Sequence, residues 1–287
     1  VYDLLSNTES PITNNRTDPT FFYYLDLNWS PDGSQIIYTG NFHTNNVLDD
    51  NTIELIESMK IFTMDRDGEN ILQISNVPQL SNGYFEADKV IQEWRPSYMD
   101  NENIIFISNR ADLFRLDNIR FVAYKMNIPT LEISEIFSYP NSIDNLSISP
   151  DKTKVVFESK IYSNDENESE LYIADLGENG AITRLTQNLF ADNRPRWSPD
   201  GQWIVYDSNR DGNRELYIIR PDGSEEKRVT NNSAEDENAS WSPDGNWLAF
   251  NSDLSGVSEA YIQNINTGDR IQITNSEEPV GYVRWSP

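Results

Sequence analysis

The chain has 287 residues, 47 of them acidic and 22 basic, for a formal net charge of −25, and it contains no cysteine. That balance excludes the basic surface on which nucleic-acid binding rests and opposes docking on anionic lipid, while it favours cationic partners or divalent cations. Disulfide and thiolate chemistry are excluded outright, and no apolar run approaches the roughly 20 residues of a membrane-spanning helix.

In chain order, the first predicted element is a short strand in Tyr2-Asp3-Leu4-Leu5-Ser6-Asn7. A phrase that returns through the chain comes next, Trp29-Ser30-Pro31-Asp32-Gly33. Its later copies are Trp94-Arg95-Pro96, Ile148-Ser149-Pro150-Asp151-Lys152, Trp197-Ser198-Pro199-Asp200-Gly201, Trp241-Ser242-Pro243-Asp244-Gly245 and a final Trp285-Ser286-Pro287. The first residues of successive copies lie 65, 54, 49, 44 and 44 apart. Such a period marks a repeat architecture with blades of four short strands. The longer early intervals place insertions between Tyr38 and Met59 and around Arg110 to Asn118.

One repeat shows the pattern. Arg194 to Trp197 reads as an inner strand and Pro199-Asp200-Gly201 as a turn. Trp203-Ile204-Val205-Tyr206 and Leu216-Tyr217-Ile218-Ile219 read as the second and third strands, and Lys227-Arg228-Val229-Thr230 as the fourth. Gly, Pro and Asp turns joining short β-rich runs make an antiparallel meander. A lone meander cannot bury both faces, so the units stack radially, with the repeat tryptophans between blades. Six copies of the inner strand predict an all-β, six-bladed β-propeller of four-stranded antiparallel blades. Its repeats begin near residues 25, 90, 144, 193, 237 and 281, and one domain fills residues 1–287. The last blade is closed by strands from both chain ends, Tyr2–Asn7 and Tyr282–Trp285, or is incomplete.

The succession W-S-P-D-G, an apolar strand, S-N-R-D-G-N-x-E-L-Y, R-P-D-G-S and R-V-T-N-N resembles the repeats of TolB-like β-propellers, most specifically in Asn193 to Thr274. The resemblance implies a six-bladed ring, common in bacterial periplasmic and surface proteins. It also implies that the α/β domain preceding the propeller in that family has no counterpart here. The same repeats form gating propellers of some peptidases, whose chemistry resides in another domain.

Catalytic raw material is sparse. His43 is the only histidine, no second His or Cys can join it at zinc, and no G-x-S-x-G elbow or phosphate cradle occurs. Carbohydrate chemistry would need a carboxylate pair beside exposed aromatics such as Phe42 and Tyr84. Asp207-Ser208-Asn209-Arg210-Asp211-Gly212 follows the start of a calcium loop but has Ile218 where the template needs Glu. A polar hairpin turn is one reading of it; a calcium site of Asp207, Asn209, Asp211 and Glu215 is the other. No cofactor is required.

Alternation along the inner strands places Asn28, Glu93, Ser147, Arg196, Ser240 and Arg284 on a polar channel ring. Asp192, Arg194, Asp236 and Glu237 lie nearer the channel mouth. These residues define the expected function, a non-catalytic protein- or peptide-binding propeller of the bacterial envelope, periplasmic or at the cell surface, with a partner of basic character. The alternative is a propeller segment of a larger peptidase or surface protein whose catalytic domain is not in this chain.

Overall fold

The computed structural model describes residues 2–3, 8–9, 24–47, 53–75, 92–110, 121–160, 169–177 and 180–287. Among them every regular element is a strand. Five four-stranded antiparallel sheets follow one another along the chain, each a simple meander with its strands in sequence order. The fourth shows the plan: Asp192–Trp197, Ile204–Ser208, Glu215–Ile219 and Lys227–Arg228 run from the axis outward. The fifth copies it with Asp236–Trp241, Trp247–Ser252, Glu259–Asn264 and Arg270–Gln272. The second and third strands are buried along nearly their whole length, because sheets cover both of their faces.

The expected count of six blades is therefore corrected to five. Gly281–Pro287 packs along the fifth blade without forming a strand. Tyr2–Asp3 pairs with Thr8–Glu9 in a separate two-stranded sheet rather than completing a blade. Trp285 N donates to Ser240 Oγ at 3.4 Å, much as Trp197 N donates to Ser147 Oγ at 3.3 Å, so the irregular tail runs beside the fifth inner strand. A Cβ on Gly33 would lie 3.8 Å from Pro287 Cδ, and one on Gly245 would lie 3.9 Å from Pro199 Cδ. The tail thus meets the first blade as Pro199 meets the blade after it. Both glycines have positive φ, 68° and 70°, so the D-G turn needs glycine for its backbone, while a Cβ there would make only ordinary contact.

The core lies between blades. Trp197 packs with Val156, Leu171 and Ile173 of the third blade and with Ile204 and Tyr206 of its own. Trp241 does the same against Val205, Leu216 and Ile218 of the fourth. The second blade departs from the expected register. Its inner strand is Glu93–Tyr98, with the same burial alternation as Asp192–Trp197 and Asp236–Trp241. Tyr98, not Trp94, therefore occupies the repeat-tryptophan position, and Trp94 stacks on Phe121 with ring centroids 4.7 Å apart. The insertion in the first blade is a lengthened hairpin, in which Gln35–Val47 pairs with Ile53–Asp65. The insertion around Arg110 to Asn118 lies almost wholly outside the described residues.

The repeat phrase has a local cause. Ser198 Oγ donates to Asp200 Oδ1 at 2.6 Å and accepts from Trp203 N at 2.9 Å, while Asp200 Oδ1 accepts from Gln202 N at 2.9 Å. Ser30/Asp32, Ser149/Asp151 and Ser242/Asp244 repeat this closure. Those hydrogen bonds hold the Asp244 carboxyl at about 2, with Ser242 the largest cause.

The later motifs latch blades together. Glu215 accepts from Arg228 Nη2 at 3.0 Å and Asn232 N at 2.8 Å, and Thr230 Oγ1 accepts from Leu216 N at 2.8 Å. Asn232 Nδ2 then donates to Asp236 Oδ2 of the next inner strand at 2.7 Å. Glu170, Thr186, Asn188 and Asp192 make the same chain one blade earlier.

Candidate functional site

Each inner strand carries a bulge. The pairing register shifts between Leu25/Asn28, Trp94/Ser97, Asp144/Ser147, Asn193/Arg196 and Glu237/Ser240. Within or beside each shift sits a non-glycine residue with positive φ: Asp26, Arg95, Asn145, Arg194 and Asn238, at 60°, 57°, 44°, 53° and 61°. Side chains other than glycine adopt that region reluctantly, so five recurrences at one position mark a built feature of the axis.

The corrected register redraws the channel ring as Asn28, Ser97, Ser147, Arg196, Ser240 and Arg284. Glu93 leaves it: its carboxylate is fully buried and paired with Arg110. With Pro96 now one step before the ring residue, the apolar set Leu27, Pro96, Leu146, Pro195, Ala239 and Val283 has no polar exception. The signal was available in the spacing, because counting from Tyr98 brings the interval to Ile148 down to 50, beside the following 49.

A cavity of about 490 Å³ opens at the end of the channel where the S-P-D turns gather. Asn28, Arg196, Ser240 and Arg284 of the ring line it, with Asp100 and Lys152 among the residues of its wall. Pro31, Pro150 and Pro199 and the faces of Trp197 and Trp241 make the rest largely apolar.

Nearer the opposite end, the positive-φ residues form a charged network. Arg95 pairs with Asp26 and reaches Asp144 at 2.8 Å. Arg194 Nη1 meets Asp207 at 3.0 Å and Glu237 at 2.8 Å. Glu158 accepts from Asn145 Nδ2 at 2.7 Å and from Arg194 N at 3.2 Å. Burial, then the charge of Asp144, pushes the Glu158 carboxyl up to about 7. Burial likewise raises Asp207, against the pull of Arg194 and Arg214.

The other expected mouth residues divide. Arg194 and Glu237 stand in this network, paired with each other at 2.8 Å. Asp192 and Asp236 are fully buried between blades, where Arg210 and Arg270 hold them at 3.1 and 3.2 Å, so they belong to the latch and not to the mouth.

The calcium-loop residues are not gathered around one point. Asp207 faces Arg194 and Arg214, Asn209 Oδ1 accepts from Ala191 N, Asp211 faces Arg228 and the Tyr217 hydroxyl, and Glu215 serves the latch. Among the described residues, no group of three or more His, Cys, Asp or Glu side chains is placed to hold a metal ion. His43 lies on the lengthened hairpin of the first blade opposite Glu57, and of Phe42 only the backbone is described. Tyr84 lies outside the described residues.

Five stacked meanders with an axial, polar-lined channel define a repeat β-propeller. Residues 208–287, the later repeats, match the TolB beta propeller domain. An uncharacterized protein of Agrobacterium fabrum is 37% identical over 59 residues, which cover 21% of this chain and 20% of that protein. The Tol-Pal system protein TolB of Desulfosudis oleivorans is 39% identical over 69 residues, 23% of this chain and 15% of that protein. The chain therefore matches a fifth or less of the length of these relatives. The solved structure of a TolB-like protein from Agrobacterium tumefaciens superposes with a TM-score of 0.70 at 16% identity, covering 99% of this chain and 92% of that one, which speaks to fold alone.

Proposed function

We propose that this chain is a non-catalytic binding propeller of the bacterial envelope. It takes a protein segment or peptide of basic character at the end of its central channel. The observation that carries this reading is the 490 Å³ cavity, where polar ring residues from separate repeats converge between largely apolar walls. A concave site with a few convergent polar groups on apolar walls is the ordinary form of a binding pocket. The net charge of −25 supports a cationic partner, which it would steer and hold in a salt-dependent way. Similarity to Tol-Pal system proteins supports the envelope location.

The test is selection from a displayed random-peptide library with free C-termini. The expected binders are enriched in Lys and Arg, compete with one another, and weaken steeply with salt. Absence of enrichment, or binders that do not compete, would overturn the reading. Turnover of peptide or oligosaccharide substrates by the purified chain would favour an enzyme instead.

A further inference from the structure

Nearly all the charge around the axis is paired: Asp26 with Arg95, Arg95 with Asp144, and Arg194 with Asp207 and Glu237. Arg196 and Arg284 are different. Both line the cavity, and neither has a carboxylate within ion-pair distance among the described residues. Arg196 Nη1 donates to Pro195 O at 2.9 Å, and Arg284 Nη1 donates to Val283 O at 2.8 Å and Asn238 O at 3.3 Å. Arg284 Nε is buried with no acceptor. Among the described residues, the Nη2 group of neither arginine donates to a protein acceptor.

The cost of this arrangement shows in the acidity of the two groups. Burial lowers Arg196 to about 10 and Arg284 to about 9, and the charge of Arg196 lowers Arg284 further. Asp26 opposes the shift in both, but its ion pair goes to Arg95. Both arginines therefore stay cationic at neutral pH, as part-exposed like charges lining one cavity with no carboxylate partner among the described residues. Burying unpaired charge is expensive unless something completes it.

We propose that Arg196 and Arg284 form a carboxylate subsite in the channel, and that it receives the C-terminal carboxylate of the bound peptide. The assignment rests on the peptide-binding reading above. Paired guanidinium groups match the two oxygens of a carboxylate, and capture of a chain terminus is a recurring mode of peptide recognition. The surroundings select a singly charged group. Asp100 in the cavity wall is paired with Lys152 at 3.4 Å, and the overall charge of −25 opposes a dianion such as phosphate but suits one carboxylate carried on a basic chain.

The experiment is thermal unfolding at constant ionic strength with N-acetylglycine, N-acetylglycinamide or inorganic phosphate. Acetylglycine is expected to raise the melting temperature saturably, by about 5 °C at concentrations far above its Kd, and its amide is expected to do nothing. R196M and R284M should each abolish that shift. Without anion they should melt at or above the wild-type temperature, because an uncompensated charge is gone. R284K should keep part of the shift, and R220M, whose guanidinium lies over the Trp203 ring 3.9 Å from its centroid, should keep all of it. An equal shift in R196M, R284M and wild type would make the effect one of salt alone and overturn the subsite. A larger shift with phosphate than with acetylglycine would overturn the carboxylate assignment. If selected peptides bind equally with free and amidated termini, the subsite falls and the peptide reading stands. If acetylglycine binds and no peptide does, the reverse holds.

Discussion

Arg194 Nη1 lies 3.0 Å from Asp207 Oδ2, and Asp207 is almost wholly inaccessible, with 1% of its side chain exposed. The same carboxylate oxygen takes Arg214 Nη1 at 3.1 Å. Two cations from different places in the repeat thus compensate one buried anion, and Arg194 carries the compensation onward to Glu237 of the next blade. Removing the last partner of a buried charge costs about 3 to 5 kcal/mol. The double variant R194M/R214M should therefore lose about that much in urea unfolding, and the two single variants should sum to clearly less. Simple additivity would show that Asp207 does not depend on sharing.

Glu158 gives the molecule a pH dependence of known sign. Its folded-state carboxyl is raised from 4.5 to about 7, so between those values the folded chain binds more protons than the unfolded one. The contribution to stability is fully present below about 4.5 and is lost as pH rises through about 7. The full effect is about 3 kcal/mol. E158Q should match wild type near pH 4.5 and exceed it at pH 8, measured as the difference between urea midpoints. A constant difference across that range would contradict the assignment.

The S-P-D closure has a buried and an exposed version. Ser198 is 2% exposed and bonds both Asp200 and Trp203 N, whereas the exposed Ser224 closes the turn at Asp222 with a 2.6 Å hydrogen bond. S198A should cost about 1 to 2 kcal/mol and S224A no more than about 0.5 kcal/mol in equilibrium unfolding. Equal effects would mean that burial of the hydroxyl is irrelevant.

Calcium is expected to act on Asp207-to-Glu215 only as a screening ion, because the four side chains face separate arginine, tyrosine and backbone partners instead of one common point. Melting temperatures in calcium and magnesium at matched ionic strength should agree, and EDTA should change neither. A calcium-specific rise abolished by D211A would show that the loop rearranges around a metal.

Much of this was legible in the residues. The meander, its turns and the packing role of Trp197 and Trp241 follow from apolar alternation and from the Ser, Pro, Asp and Gly positions. Arg196, Ser240, Asn28 and Arg284 were placed by counting back one residue from the repeat tryptophan. The same count failed at Glu93 because a tryptophan stands four residues before Tyr98, and residue identity misled where spacing and burial would not. Asp192 and Asp236 resemble mouth residues in sequence, since nothing local announces that Asn188 and Asn232 reach forward to hold them. Blade number was misread for a related reason. Tyr282–Trp285 carries the repeat phrase and lies beside the fifth inner strand, yet it pairs in no sheet, and strand pairing depends on neighbours that the phrase does not encode.

The most direct measurement of the central claim is calorimetric binding of a library-selected peptide to wild type and to S240F, which places a ring in the channel cavity beside Arg196 and Arg284. The account predicts at least about a tenfold loss of affinity in a chain that still unfolds cooperatively, since filling the cavity removes the site while the fold loses only the Trp285 N–Ser240 Oγ hydrogen bond. Undiminished affinity in S240F would place binding on another surface and contradict the account.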